Sequence, residues 1–278
     1  MTATTTGDDP LTSSGSVHTA VGDLHVTVAG HAAGPTIVCW HVLFGDSTVW
    51  GAQVEALSSQ YRLLLIDGPG HGASGLPPRP YTLDDCAVAV VQVLDAYGAA
   101  DAVVMGLAWG GLVALRVALH APTKVRALVL LSASAETDPL ATRLRLSALA
   151  AVVARTGVRP FIARTVAPTF FTTETRLNHR PLIEAFVRHM TGMDGSAAAL
   201  AIHSLEQETI LDRLPRITTP TLVLVGLRDT IYPEPRGAHI AAAIPGARLV
   251  KLPHAAHVPT QETPEAVNAA LTEFLSTL

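Results

Sequence analysis

The chain has 278 residues, a formal net charge of −4, and a composition that is 49% hydrophobic and 15% charged. That length suits one large α/β domain with room for an inserted subdomain, and a composition so apolar and lightly charged excludes long disorder away from the ends. No basic run offers itself to nucleic acid, and no apolar stretch is long enough to cross a membrane.

The first fifteen residues, MTATTTGDDPLTSSG, lack the basic and apolar regions of a signal peptide and are expected to form a flexible polar leader. A cytoplasmic location follows as the expectation. Cys39 and Cys86 are the only cysteines and lie far apart, so neither a disulfide framework nor a C-x-x-C motif is indicated.

Residues 17–19 and 24–29 alternate in polarity around Gly22-Asp23, which predicts a β-hairpin. Continuous apolar runs follow at 36–40, 62–67, 102–105, 127–131, 221–225 and 248–252, the pattern of strands covered on both faces. Helical spacing predicts helices over 83–97, 112–120 and 264–278. The sum is a β-α-β-α chain around a mostly parallel sheet.

One interval breaks the alternation. Between residues 131 and 221 no strand pattern occurs, and 139–156, 159–166, 181–190 and 196–211 read as helices punctuated by Pro168, Pro181, Gly192 and Gly195. The expected division is a core of residues 16–135 and 215–278 with a helical cap, 136–214, inserted after the sixth strand.

Several strand ends carry chemistry-bearing motifs. Residues 104–111 read V-M-G-L-A-W-G-G, a strand running into a helix through a turn of small residues. A G-x-S-x-G nucleophile elbow needs such a turn, with a helix N-terminus aimed at a developing oxyanion. The central position holds Ala108, which has no nucleophilic atom. An ordinary glycine-rich turn is the plain alternative for this motif taken alone.

The strand before it closes on Asp67-Gly68-Pro69-Gly70-His71-Gly72-Ala73-Ser74, and the third strand is followed by His41-Val42-Leu43-Phe44-Gly45. Gly226-Leu227-Arg228-Asp229 follows the seventh strand and His254-Ala255-Ala256-His257 the last. Together these motifs resemble those of the α/β-hydrolase superfamily over nearly the whole chain, and the layout is most similar to its esterase and enol-lactonase branch.

The resemblance implies an α/β-hydrolase fold with a helical cap after strand six. It also implies a catalytic set in chain order: Ala108 at the nucleophile position, Asp229 as the acid that orients the histidine, and His257 as the base. His257 is chosen over His254 because the family's histidine lies five residues before a glutamate, here Glu262. Glu136, after the sixth strand, is the lower-ranked alternative acid. By position, the Leu43 and Trp109 backbone N–H groups would form the oxyanion hole. Val42 stands where the family usually has glycine. His41 and the Asp67 loop are given structural roles.

Three readings of Ala108 stand, the first ranked highest. The chain is a serine-type hydrolase present as an inactive nucleophile-to-alanine variant. Alternatively it is a natural non-hydrolytic enzyme (a lyase, decarboxylase, cyclase or cofactor-free oxygenase) using His257 as general base, or a small-molecule binding protein on this fold. An aspartate nucleophile before Trp109, as in dehalogenases and epoxide hydrolases, is disfavoured because Phe44 occupies the place of their oxyanion-loop proline.

The expected ligand is a hydrophobic ester or lactone, met by Val42, Phe44, Phe161, Phe170, Phe186, Met190 and Val258. Helical spacing makes many of the cap's apolar residues simply core. No metal, cofactor, nucleic-acid or membrane partner is expected, since the histidines lack ligand spacing and no G-x-G-x-x-G or Walker motif follows a strand. A homodimer is left open.

Overall fold

The computed structural model describes residues 13–278. Eight strands form one sheet: β1 (Ser13–Thr19), β2 (Gly22–Gly30), β3 (Thr36–Trp40), β4 (Arg62–Ile66), β5 (Ala102–Leu107), β6 (Val125–Leu131), β7 (Thr221–Gly226) and β8 (Arg248–Leu252). Their order is β1-β2-β4-β3-β5-β6-β7-β8. β2 runs antiparallel to both β1 and β4, and all other neighbours are parallel. β3, β5 and β7 are buried along their whole length, as continuous apolar runs require when helices cover both faces.

The helices are α1 (Gly51–Leu57), α2 (Leu83–Ala96), α3 (Trp109–His120), α4 (Leu140–Thr156), α5 (Pro160–Val166), α6 (Thr173–Asn178), α7 (Arg180–Gly192), α8 (Gly195–Ser204), α9 (Glu234–Ala243), α10 (Pro259–Glu262) and α11 (Pro264–Leu275). α2 shows how local sequence starts one. Thr82 accepts from the Asp85 N–H while Asp85 reaches back to the Thr82 N–H, a complete capping box. Its Leu83, Cys86, Val90, Val93 and Leu94 then recur at helical spacing and bury against the sheet side. Helices α4 to α8 lie between β6 and β7, with α4 packed along α8. No described helix is long and apolar enough to cross a membrane.

The structure departs from expectation at particular places. The leader expected over residues 1–15 lies outside the described residues up to position 12, but Ser13, Ser14 and Gly15 already pair with Val28, Thr27 and Val26. The hairpin turns at Ala20-Val21 rather than at Gly22-Asp23, because Thr19 Oγ1 donates to the Gly22 carbonyl at 2.6 Å and closes the loop two residues earlier. The helix expected over 196–211 ends at Ser204, and the Ile210 N–H instead donates to the Ala135 carbonyl, tying that segment to the end of β6. α1, α6, α9 and α10 were not anticipated. The first two are short, and α9 carries Gly237 in its interior. A Cβ there would overlap Val225, so the glycine that weakens the sequence signal is what lets α9 lie close on β7.

Candidate active site

β5 runs straight into α3 through one residue. Ala108 sits at φ 53°, ψ −106°, a backbone that L-residues with a Cβ adopt at a cost of roughly 1–3 kcal/mol. The surroundings enforce it. A Cβ on Gly106 would overlap the Gly110 carbonyl, and one on Gly110 would overlap the Trp40 carbonyl. The glycines therefore let strand and helix meet at van der Waals range, and the reversal presents the Ala108 side chain at the strand end.

The second element is a buried pair. Asp229 lies in the turn after β7, and its Oδ1 accepts the Ile231 and Tyr232 N–H groups at 2.8 and 3.0 Å. Its Oδ2 accepts from His257 Nδ1 at 2.8 Å, with both side chains all but sealed from solvent. A carboxylate has no proton to give, so Nδ1 carries the hydrogen and Nε2 is left with its lone pair free. Edge-on rings of Phe170 and Tyr232, at 5.4 and 5.5 Å, flank the imidazole, and the His257 N–H donates to the Phe170 carbonyl at 3.1 Å. The other candidates lie elsewhere. Glu136 pairs with His239 on an exposed face, and His254 is exposed.

The third element is the loop after β3. Phe44 takes the left-handed conformation at φ 65°, and its N–H donates to His71 Nε2 at 3.2 Å. Val42 has no such positive φ, which is why a valine is tolerated where the resemblance anticipates glycine. Its side chain is fully buried and lies outside the cavity. The Leu43 and Trp109 backbone N–H groups donate to no acceptor among the described residues.

These elements share a cavity of about 510 Å³, within the usual range for small-molecule sites. It brings together Leu43, Phe44, Ala108, Trp109, Phe170 and His257, with Asp229 behind the histidine. Other residues expected at the ligand are placed differently. Phe161 is 71% exposed because α5 turns that position outward. Phe186 and Met190 are buried one layer back, where Phe186 packs on Phe170 and Phe171 at 5.0 and 5.4 Å. Val258 is buried in the core and, like Val42, does not line the cavity.

The inner face of α4 was missed, and with it Thr142, Arg145, Leu146 and Leu149, as were Tyr232 and Arg236. The 142, 145, 146, 149 spacing marks one helix face, but nothing in the sequence says that this face, rather than α5, meets the elbow. Among the described residues no group of three or more His, Cys, Asp or Glu is placed to hold a metal ion.

The model of the alpha/beta hydrolase fold family matches residues 35–262. A protein of Azorhizobium caulinodans, provisionally named carbamate hydrolase RutD, is 28% identical over 261 residues, covering 91% of this chain and 96% of its own. The solved thermophilic esterase from Thermogutta terrifontis superposes with a TM-score of 0.88 at 28% identity, covering 95% and 98% of the two chains. The enol-lactonase from Burkholderia xenovorans LB400 does so with a TM-score of 0.86 at 26% identity, covering 91% and 96%. The relatives it resembles are hydrolases, and the family model spans most of the sheet, the elbow and both members of the buried pair. The chain belongs to the α/β hydrolase fold family.

Proposed function

We propose that the chain is the framework of a serine-type hydrolase of hydrophobic carboxylic esters or lactones, in which alanine occupies the nucleophile position and covalent catalysis is absent. The observation that carries this reading is Ala108 itself. Its backbone holds a strained turn that an alanine has no use for, at the wall of a cavity shared with a histidine held in one tautomer.

With a hydroxyl at position 108, His257 Nε2 takes its proton as the oxygen attacks the carbonyl, and Asp229 stabilises the imidazolium through Nδ1–H. The Leu43 and Trp109 N–H groups receive the oxyanion, a contribution of about 3–4 kcal/mol per donor in comparable sites. Water then hydrolyses the acyl-enzyme by the same base. The helices between β6 and β7 act as a cap, with α4 and Phe170 closing the cavity over the reacting carbonyl.

The test is a paired assay of the chain as given and of Ala108→Ser against aryl esters and lactones. Turnover in Ala108→Ser alone supports the reading, and silence in both rejects it. The second reading rests on the intact Asp229–His257 pair beside a residue with no nucleophile, which suits general-base chemistry without an acyl-enzyme. Turnover of a non-ester substrate by the alanine chain, lost in His257→Gln, would favour it.

A further inference from the structure

Glu262 ends α10 and carries a carboxylate that has no ion-pair partner among the described residues. Its charge is met by three donors from two directions. Oε2 accepts the Ala256 N–H at 2.8 Å, in the loop that carries His257. Oε1 accepts the Thr172 N–H at 2.6 Å and the Thr175 hydroxyl at 2.9 Å, both from the segment that opens α6 in the cap.

The direction of each bond is fixed. A carboxylate has no proton to give, so the one Thr175 hydroxyl proton goes to it, and Thr172 Oγ1, 2.8 Å away, gives its own proton to Thr175. The Thr175 N–H returns to Thr172 Oγ1 at 3.1 Å and caps α6. Both threonines are buried, which strengthens the chain of bonds.

The same cap segment also meets the histidine. Phe170 takes the His257 N–H on its carbonyl at 3.1 Å and sets its ring edge-on to the imidazole at 5.4 Å. On its other side the loop is tied to the turn of Asp229, where the Arg228 N–H donates to the Ala255 carbonyl at 3.0 Å. Elsewhere the cap reaches the elbow through Trp109 Nε1 on Ser204 Oγ at 3.1 Å, and the β3 loop through His189 on Asp46 at 2.7 Å. Neither of those contacts bonds the base.

We propose that Glu262 is a positioning residue for His257, joining the loop of the base to the cap so that the cap, as well as Asp229, sets where Nε2 points. Asp229 fixes the tautomer and one edge of the ring, and Glu262 fixes the backbone from which the ring projects. Proton transfer needs the base within hydrogen-bond reach of its partner, so a small shift of that backbone is costly. The proposal rests on His257 being the base at the substrate cavity.

The proton on His257 Nδ1, bonded to a buried carboxylate, gives a far-downfield proton NMR signal in the chain as given, and its exchange with solvent reports how firmly the ring is held. An amide has one oxygen, so Glu262→Gln surrenders either Ala256 or the cap and breaks the bridge. The expected result is exchange about tenfold faster, the size of one lost charge-assisted bond. Thr175→Val, which removes only the cap-side hydroxyl, shifts exchange in the same direction by less. Val93→Ala, a cavity in the core of α2 away from the site, lowers the melting temperature and leaves exchange alone. In the Ala108→Ser background, Glu262→Gln lowers kcat about tenfold for an aryl acetate and leaves KM as it was.

Exchange unchanged in Glu262→Gln or in Thr175→Val, or matched by Val93→Ala, overturns the proposal, as does a parent chain without the downfield signal. Should Glu262→Gln not fold, Thr175→Val decides. Faster exchange in Glu262→Gln beside a silent Ala108→Ser chain rejects the hydrolase reading and leaves the positioning role standing. An active Ala108→Ser chain whose exchange and kcat ignore Glu262→Gln does the reverse.

Discussion

His41 Nε2 accepts the Gly68 N–H at 2.8 Å, and His71 Nε2 accepts the Phe44 N–H at 3.2 Å, so two imidazoles stitch the loop after β3 to the loop after β4 in both directions. Each gives its own Nδ1–H to a backbone carbonyl, His41 to Val42 at 2.7 Å and His71 to Pro69 at 3.0 Å. Their rings lie 5.0 Å apart, and Trp109 packs on both at 5.6 and 5.0 Å. The residue next to the elbow thus rests on the two histidines that shape the neighbouring loop.

That arrangement needs both rings neutral. Burial pushes the His41 pKa down, and burial followed by the neighbouring His41 takes His71 to about 3. The folded value lies below the ordinary 6.5, so the unfolded chain binds a proton that the folded chain refuses. Stability is therefore full above pH 6.5 and is lost as pH falls from there toward 3, by roughly 3 kcal/mol at pH 4 from His71 alone. Urea unfolding at pH 7, 5 and 4 should show that slope, and His71→Gln should flatten it. A slope unchanged in His71→Gln contradicts the assignment.

A different histidine works in the opposite sense. His189 on α7 gives Nδ1–H to Asp46 Oδ2 at 2.7 Å, and Asp46 Oδ1 caps the turn after the β3 loop through the Thr48 N–H at 2.9 Å. The hydrogen bond to Asp46 raises the His189 pKa above 6.5. For Asp46, burial pushes upward, but the bonds from His189 and Thr48 prevail and hold it well below the usual carboxylate range. The imidazolium's contribution is complete below pH 6.5 and is lost as pH rises through its raised value. His189→Gln should lower the melting temperature at pH 6 and leave it unchanged at pH 9. The loss corresponds to under about 1 kcal/mol, because the side chain is 36% exposed and the pair is screened. An equal loss at both pH values would mean the pair is not the source.

The elbow glycines make a stability prediction. Gly110→Ala drives a Cβ into the Trp40 carbonyl, whereas Gly192→Ala at the end of α7 meets nothing within 4 Å. The first should destabilise by several kcal/mol, whereas the second should leave the stability unchanged or raise it by under about 1 kcal/mol. Thermal unfolding of both variants checks this, and a Gly110→Ala chain as stable as the parent would mean the turn is not closed as described.

In the Ala108→Ser background, Asp229→Asn should lower kcat by about 10⁴-fold while the fold persists, because Asn can still accept the Ile231 and Tyr232 N–H groups but not fix the His257 tautomer. A fall of less than about tenfold would show that Asp229 does not orient the base.

The strands were legible as buried apolar runs ending in turns, whereas Ala108, Asp229 and His257 were expected only from the resemblance of the motifs at those strand ends, and the structure places Ala108 and His257 on one cavity with Asp229 bonded to the histidine. The cavity wall was not legible. Phe161 and Arg145 both lie on helices of mixed face, and which face meets the elbow is decided by how α4 to α8 pack, a relation between segments rather than a property of either. α9 was hidden for a related reason. Gly237 argues against a helix locally and is required there by the close approach to Val225.

The most direct test of the account is intact-protein mass spectrometry after treatment with an aryl fluorophosphonate, which labels only a hydroxyl activated by a neighbouring base. The chain as given should remain unlabelled. Ala108→Ser should gain a single adduct mapped to position 108, and Ala108→Ser combined with His257→Ala should lose it. An Ala108→Ser chain that stays unlabelled, or one labelled equally well without His257, would contradict the claim that this framework lacks only a hydroxyl.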